Sequence, residues 1–358
     1  MSDARQLYSA PELEHVTARI FQHWNVPEKD AAIVAGSLVA ANLRGVDTHG
    51  VARIPAYIDR FRRGMVEPQP KITVTSRMPF AAAVDGGNGL GSVVAQTAMD
   101  EALARAAKIG VGIVTANRSN HFGTAAYWAL QAAERGCIGL CVSPASKSLA
   151  PFGSREPLFG TNPIAAAAPA GRHTPWVMDM ATSVAARGHI RLAARHGEDI
   201  PEGWALDADG KSTTNAEQAL AGVMLPFSGV KGSAIAMLVD ILGGVLSGSG
   251  FGGAIRDMTR DFDAPADVGH FFMAFQIEGL MPLAEFNARM EEEIARLKAL
   301  KPAAGFDEVL YPGEPEARKE RDRLKNGIPL SAQVADAVRA VAEECGLHFP
   351  KPASASAA

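Results

Sequence analysis

The sequence predicts an α+β fold in which a helical opening section delivers the chain to a sheet domain that is not of the Rossmann type. Three observations predict it. Residues 10 to 43 place apolar side chains at helical spacing, and from Lys71 the pattern changes to short alternating runs that read as strands. The GxGxxG string, Gly248 to Gly253, follows a helix where the dinucleotide fingerprint requires a strand, so it reads as a helix terminus instead. At 358 residues and 37.6 kDa the chain is long enough for two domains.

Taken in order, Leu13, Val16, Ile20 and Phe21 share one face of a helix over 10 to 24, and Ala31, Val34, Ala35, Leu38 and Ala41 mark a second over 27 to 43. A third apolar face, Tyr57, Ile58 and Phe61, runs to Gly64 and is ended by Pro68 and Pro70. Strands follow at Ile72 to Thr75 and Ala81 to Val84, and a glycine-rich turn leads into a helix from about 92 to 108. The strand Val111 to Val114, a helix from about 124 to 135, the strand 137 to 143 and the strand Trp176 to Met178 complete the first half. After a turn-rich loop from Gly203 to Thr214 comes a long apolar helix over about 233 to 247. The last third holds a charged helix over 282 to 299, a turn at Tyr311 to Pro315, a closing helix over 331 to 344, and an Ala/Ser/Pro tail after Pro350 expected to lack structure.

Composition narrows the function. Hydrophobic residues make 47% and charged residues 21%, and a net charge of -4 without a clustered basic face argues against a nucleic-acid partner. Cys137, Cys141 and Cys345 are too few and too unevenly spaced for a disulfide framework or a zinc site; they read as reduced thiols and give a cytoplasmic expectation, as does the lack of an apolar leader in Met1 to His15. Residues 234 to 255 have about the length of a membrane span, but Asp240 and six glycines favour a buried helix entering a turn, so no membrane partner is expected.

The chemistry concentrates in Arg44-Gly45-Val46-Asp47-Thr48-His49-Gly50-Val51-Ala52-Arg53. An imidazole, an acid, a hydroxyl and two guanidiniums lie between glycines, and a helix beginning at His49 would place Arg53 one turn on, on the same face. An acid/base His beside a bidentate cation suits reduction of a 2-oxo or 2-imino acid: one group moves a proton and the other holds a carboxylate. The same stretch also reads as a solvated helix start with Asp47 or Thr48 as its cap. A second cluster, Asn117 to Gly123, carries His121. Asp179 ends a strand, where it either faces a ligand or caps the next helix, and Lys231 stands at a helix N-terminus, where free amides and an ammonium converge on an anion. A metal-dependent hydrolase or lyase using Asp47, His49 and His121 is the alternative from another class. The remaining histidines, His270 among them, read as surface or packing residues.

Six ordered motifs, RGVDTHGVAR, NRSNHFGTAAYW, GTNPIA, VMDMATS, IPEGWALD and GVKG, resemble the type-2 malate/L-lactate dehydrogenase family, which includes ureidoglycolate, sulfolactate and diketogulonate oxidoreductases and piperideine-2-carboxylate reductases. The resemblance covers residues 10 to 345. It implies NAD- or NADP-dependent hydride transfer at the carbon beside a carboxylate, a largely antiparallel non-Rossmann cofactor domain, and a homodimer with active sites near the subunit interface. It also implies His49 as the acid/base group, His121 as a second active-site histidine and Arg53 as the carboxylate contact; beside these, Thr48 and Arg44 are expected at the substrate and Asp47 is expected to orient the imidazole. The dinucleotide contacts it implies are Val177, Met178, Asp179, Met180, Ala181, Thr182, Ser183, Val230, Lys231, Gly313, Glu314 and Pro315, with no metal. On this basis residues 1–70 with 305–350 form the helical domain, 71–304 the sheet domain and 351–358 the tail. Thr48 stands where many members have Ser, and Ser233-Ala234-Ile235 where many have Tyr-Gly-Leu, which turns attention to the imine-reductase branch as the alternative substrate class.

Overall fold

The computed structural model describes residues 5–353. In chain order the elements are β1 (Arg5–Tyr8), α1 (Ala10–His23), α2 (Glu28–Leu43), α3 (Ile54–Arg62), β2 (Thr73–Met78), β3 (Ala81–Asp85), α4 (Gly91–Ile109), β4 (Val111–Ser119), α5 (Ala125–Ala133), β5 (Cys137–Val142), β6 (Ile164–Ala168) and β7 (Trp176–Met180). Then come α6 (Arg187–His196), β8 (Ala205–Leu206), β9 (Ser212–Thr213), α7 (Ala216–Ala221), β10 (Val223–Met224), α8 (Val230–Asp240), β11 (Val268–Gln276), α9 (Leu283–Lys298), α10 (Glu314–Asn326), β12 (Ile328–Ser331) and α11 (Ala332–Glu344).

Seven strands form the main sheet in the order β2-β3-β4-β11-β5-β6-β7. Only β3 and β4 run parallel, joined through α4; every other neighbouring pair is antiparallel. The fold is therefore mixed α/β around a mostly antiparallel sheet, as the family resemblance implies. Helices α4 and α5 cover one face through Val94, Ala98, Met99, Trp128 and Ala132, with Phe272 of β11 beneath them. A second core joins α1, α2, α3 and α11 to the β1–β12 pair through Leu13, Ile20, Phe21, Leu38, Ile54, Ile58 and Val338. A third, smaller core lies among β8, β10, α6 and α7.

Several elements escaped the sequence patterns, each for a physical reason. The central strand β11 is buried over most of its length, so it shows a continuous apolar run without alternation. Four of the five residues of β6 are alanines, a residue depleted in strands. Of the thirteen residues of α10 only Ala317 is buried, and Pro315, read as part of a turn, instead occupies the first helical turn, where its missing N–H costs nothing. The apolar helix begins at Val230 rather than 233, passes through a wider π turn at Ile241–Val245, and is tied to the following glycine-rich turn by the Gly252 N–H on the Asp240 carboxylate, 2.8 Å. No helix among the described residues is long and apolar enough to cross a membrane. Of the tail, Ala353 donates its N–H to the Leu7 carbonyl at 2.7 Å, and residues 354–358 lie outside the described residues.

Candidate active site

The polar stretch after α2 does not form the continuous helix that sequence spacing suggests. Asp47–His49 and Val51–Arg53 are two separate 3-10 turns, broken at Gly50, whose ψ of -148° no helix contains. Gly50 is required there: a Cβ would meet the Asn42 side-chain oxygen at 2.1 Å, and that oxygen accepts the Val51 N–H at 2.8 Å. Arg53 therefore reaches the site by another route than the expected i,i+4 step. Its Nε donates to the Thr48 carbonyl at 2.6 Å, which leaves the Nη1/Nη2 edge as the part that can grip a carboxylate.

His121 arrives from the far side. β4 leaves the sheet after Ser119, and the next residues carry His121 to His49, ring centroids 5.4 Å apart and 30° from parallel. His121 Nδ1 faces two donors, the Tyr57 hydroxyl at 2.6 Å and the Gly123 N–H at 3.4 Å. An N–H can only donate, so Nδ1 is the acceptor and neutral His121 carries its proton on Nε2. His49 differs: its Nδ1 faces the Thr48 hydroxyl at 3.0 Å, a group able to donate or accept, so this ring can exist with or without a proton on Nδ1. Burial, with Arg53 adding repulsion, lowers the His49 pKa to about 4. Burial, then Arg53, His49 and His270, pushes His121 well below its ordinary value, and burial raises the Tyr57 phenol.

Two expected members of the cluster are engaged elsewhere. Asp47 does not hold the imidazole: its carboxylate pairs with Arg323 of α10 and accepts the Asn42 amide at 2.9 Å. Arg44 does not face a substrate pocket freely; its guanidinium pairs with Glu320, also on α10, at 3.0 Å. With a guanidinium on Asp47, the three-ligand set of the metal-hydrolase reading is not assembled, and no group of three potential ligands occurs among the described residues.

The segments expected at a dinucleotide are brought together around the end of β7. Val177 donates its N–H to the Pro312 carbonyl at 3.0 Å, and Gly313, at φ +90°, packs so closely on Val177 that a Cβ would approach it to 2.9 Å. Thr182 and Ser183 run beside Phe227 and Pro226, which places the start of α8 next to the strand end. Here too some side chains are committed inward. Val177 is buried, the Thr182 hydroxyl bonds the Thr161 carbonyl and the Ser183 hydroxyl the Ala185 carbonyl, while Lys298 and Arg318 hold the Glu314 carboxylate. Met178, Asp179, Met180, Ala181, Pro315, Val230 and Lys231 retain partial or full exposure. Asp179 lies in a concave place, open to solvent yet crowded by protein: desolvation pushes its pKa to about 6, against the Ala126 N–H and the charge of Arg44. Its carboxylate accepts that N–H at 2.9 Å, so it caps α5, not the helix that follows it. A cleft of about 460 Å³ lined by Phe152, Arg155, Val184, Pro226, Ser228 and Gly229 opens at the first turn of α8.

The malate/L-lactate dehydrogenase family profile matches residues 8–339. The chain belongs to that family. Among its relatives is the malate dehydrogenase of Pyrococcus horikoshii, 39% identical over 338 residues, which span 92% of this chain and 93% of the relative. The solved sulfolactate dehydrogenase from Methanocaldococcus jannaschii superposes with a TM-score of 0.91 at 35% identity, covering 97% of this chain and 98% of the other. The solved delta1-piperideine-2-carboxylate reductase from Pseudomonas syringae pvar. tomato gives a TM-score of 0.84 at 29% identity, with 94% and 99% covered. Relatives named for NAD+ and for NADP+ both occur, and this chain is an enzyme of that NAD(P)-dependent dehydrogenase family.

Within this member of the malate/L-lactate dehydrogenase family, sequence reasoning misses Tyr57, Asn42 and Arg323. Tyr57 shows in the sequence only as part of an apolar face, and its helical spacing gives no sign of a hydroxyl partner. Arg323 stands among the charges of α10, 276 residues from Asp47, with no local signal that singles it out.

Proposed function

We propose that the protein interconverts a small 2-hydroxy acid and its 2-oxo acid at the carbon beside the carboxylate, using His49, His121 and Arg53. One observation carries this reading: two imidazoles with different protonation freedom lie against each other, within the field of a guanidinium whose Nη edge has no hydrogen-bond or ion-pair partner among the described residues. The residues suit a dinucleotide. A cleft of about 460 Å³ falls within the usual range for a small-molecule site, and at the start of α8, where the Lys231, Gly232 and Ser233 amides are spent on backbone carbonyls, the exposed Lys231 ammonium is what the helix offers a phosphate. Val230, Lys231, Asp179 with its neighbours in β7, and the Gly313–Pro315 turn would hold it. When bound, NAD(P)H supplies the hydride.

The protein's own groups then divide the remaining work. Arg53 holds the substrate carboxylate through Nη1 and Nη2. His121, kept neutral with Nε2–H outward, donates a hydrogen bond to the substrate oxygen and stabilises the charge that develops on it. His49 moves the proton: neutral at its depressed pKa it accepts the hydroxyl proton in oxidation, and in reduction its imidazolium returns one, with Thr48 Oγ1 accepting from Nδ1–H. Asp47 with Arg323 fixes the turn that carries His49, an indirect part in place of the orienting contact.

Residues 1–70 with 305–350 then act as a helical domain bearing the proton-transfer group against a cofactor-binding sheet domain. Val230, Met237, Leu238, Ile241 and Val245 are exposed along one side of α8 and its π turn, while Val239 and Gly243 pack inward. A helix apolar all round belongs inside an assembly, which supports a homodimer through this face.

The reading is tested by nicotinamide absorbance with NADH and NADPH over mono- and dicarboxylic 2-oxo acids and cyclic 2-imino acids, for wild type, His49→Ala and His121→Ala. Turnover of a 2-oxo acid that falls in both variants is expected. Turnover of cyclic imines alone would move the substrate to the alternative branch. If no dinucleotide is oxidised and calorimetry finds none bound, the proposal fails.

A further inference from the structure

The segment that presents His121 is shaped by a defect in the sheet. β11 pairs with β4 in register from Phe275 opposite Val111 to His270 opposite Ala116, and then the register slips so that Val268 faces Ser119. β4 thus carries one extra residue at this point, and Arg118 lies in the left-handed region at φ +47°, uncommon for a side chain other than glycine. Such a bulge bends its strand and re-aims the residues beyond it. Here it lifts Asn120 and His121 out of the sheet.

His270 sits opposite the bulge with 0% of its surface exposed. Both of its ring nitrogens are engaged: Nε2 with the Ser119 hydroxyl and Nδ1 with the Ser143 hydroxyl just beyond β5, each at 2.9 Å. Its ring lies flat on Phe122, centroids 4.5 Å apart and 4° from parallel. One buried imidazole therefore grips the residue two before His121 and the residue one after it, and ties both to β5. An apolar ring would fill this space without the desolvation cost of two nitrogens, so the hydrogen bonds must repay that cost through the conformation they select.

We propose that His270 is a positioning residue for His121, holding the 119–122 segment so that the His121 ring meets Tyr57, Gly123 and His49 in a single orientation. It touches none of the reacting atoms; it acts through Ser119 and Phe122. The inference rests on the active-site reading of His121 given above. A displacement of about 1 Å at a reacting group lowers rates roughly 10²-fold, so loss of the two bonds reaches the chemistry through His121 alone.

The test pairs His270→Phe, which keeps the stacked ring and drops both hydrogen bonds, with Ser119→Ala, which drops only the bond to the segment and spares the core if the first variant fails to fold. The expected result for His270→Phe is a kcat roughly 10- to 100-fold lower with substrate KM within about 3-fold, and no additional loss when it is combined with His121→Ala. Ser119→Ala gives a smaller loss with the same non-additivity. In 15N-histidine spectra the wild-type His121 signals report the Nε2–H tautomer, and in both variants they move toward a mixture. Losses that multiply in the His121→Ala background, or unchanged His121 signals in the variants, overturn the proposal. Full activity of His121→Ala itself sinks the reading beneath it, and the spectra then still decide whether His270 positions the ring.

Discussion

Arg323 of α10 closes a two-pronged ion pair on Asp47 across 276 residues of chain, Nη1 to Oδ1 at 2.6 Å and Nη2 to Oδ2 at 3.2 Å. Its Nη1 also reaches the Asn42 carbonyl at the end of α2. The short turn that carries His49 is thereby pinned from two helices, although its own backbone makes only single 3-10 turns.

Removal of that pin gives the first prediction. Arg323→Met keeps the length of the side chain but leaves Asp47 with only the Asn42 amide. Because Asp47 is partly exposed, the stability loss is expected near the upper end for surface pairs, about 1 kcal/mol, read from urea unfolding. Activity should fall more than stability explains, since the turn bearing His49 gains freedom; an active variant with wild-type kcat would show that α10 does not set the turn.

A second prediction concerns protons. Burial holds His49 at a pKa of about 4 with the positive charge of Arg53 adding to it, and a carboxylate on Arg53 cancels that second contribution. Binding of a non-reactive 2-oxo acid analogue in the presence of the dinucleotide should therefore raise the His49 pKa part of the way back and draw a fraction of a proton from solution on the acid side of neutrality. Calorimetry in buffers of different ionisation enthalpy measures this uptake. It should vanish in His49→Gln, and equal uptake by that variant would assign the proton to another group.

Acid stability follows from the same burial. The folded pKa is about 4 for His49 and about 3 for His270, below the ordinary 6.5. Below pH 6.5 the unfolded chain binds protons that the native chain does not, so stability is lost as pH falls from 6.5 toward 4. His121 adds to this loss. Asp179, raised to about 6 by desolvation, works in the opposite sense between 6 and 3.8, as do Asp30 and Asp240, which burial raises by less, and the three imidazoles, which act from 6.5 downward, set the sign. The urea midpoint should decline over this window, and the unfolding free energy with it by as much as about 1.4 kcal/mol per pH unit for each net proton. A flat midpoint would mean that the imidazoles are not held neutral by the fold.

The apolar face of α8 gives a fourth expectation. Sedimentation should find wild type at twice the 37.6 kDa chain mass, and Ile241→Glu, which puts a charge in the middle of that face, should shift it to the monomer. A wild-type monomer, or a dimer untouched by the substitution, removes this face as the interface.

Much of the molecule is legible in the residues themselves. Amphipathic helices such as α1 and α11 show because a half-buried helix must repeat its apolar side chains with the period of the helix. The non-Rossmann sheet shows because a glycine string without a preceding strand cannot cradle a pyrophosphate. Among the elements that failed to show, β11 is buried over most of its length and α10 is almost wholly solvated, and neither state imposes a period on the sequence, while β6 is hidden by its run of alanines.

At the active site the division is sharper. By itself the sequence determined which chemical groups are available: His49 between two glycines, His121 at a strand end, Arg53 four residues beyond the first imidazole, and motifs that name the family. Only the tertiary structure decided what each group touches. It set Asp47 and Arg44 on α10, gave His121 a Tyr57 partner and a fixed tautomer, and placed His270 beneath the bulge. Roles of this kind depend on hydrogen bonds between residues far apart in the chain, and such a bond leaves no period or local composition behind; it exists only once the folded backbone has brought donor and acceptor within about 3 Å of each other.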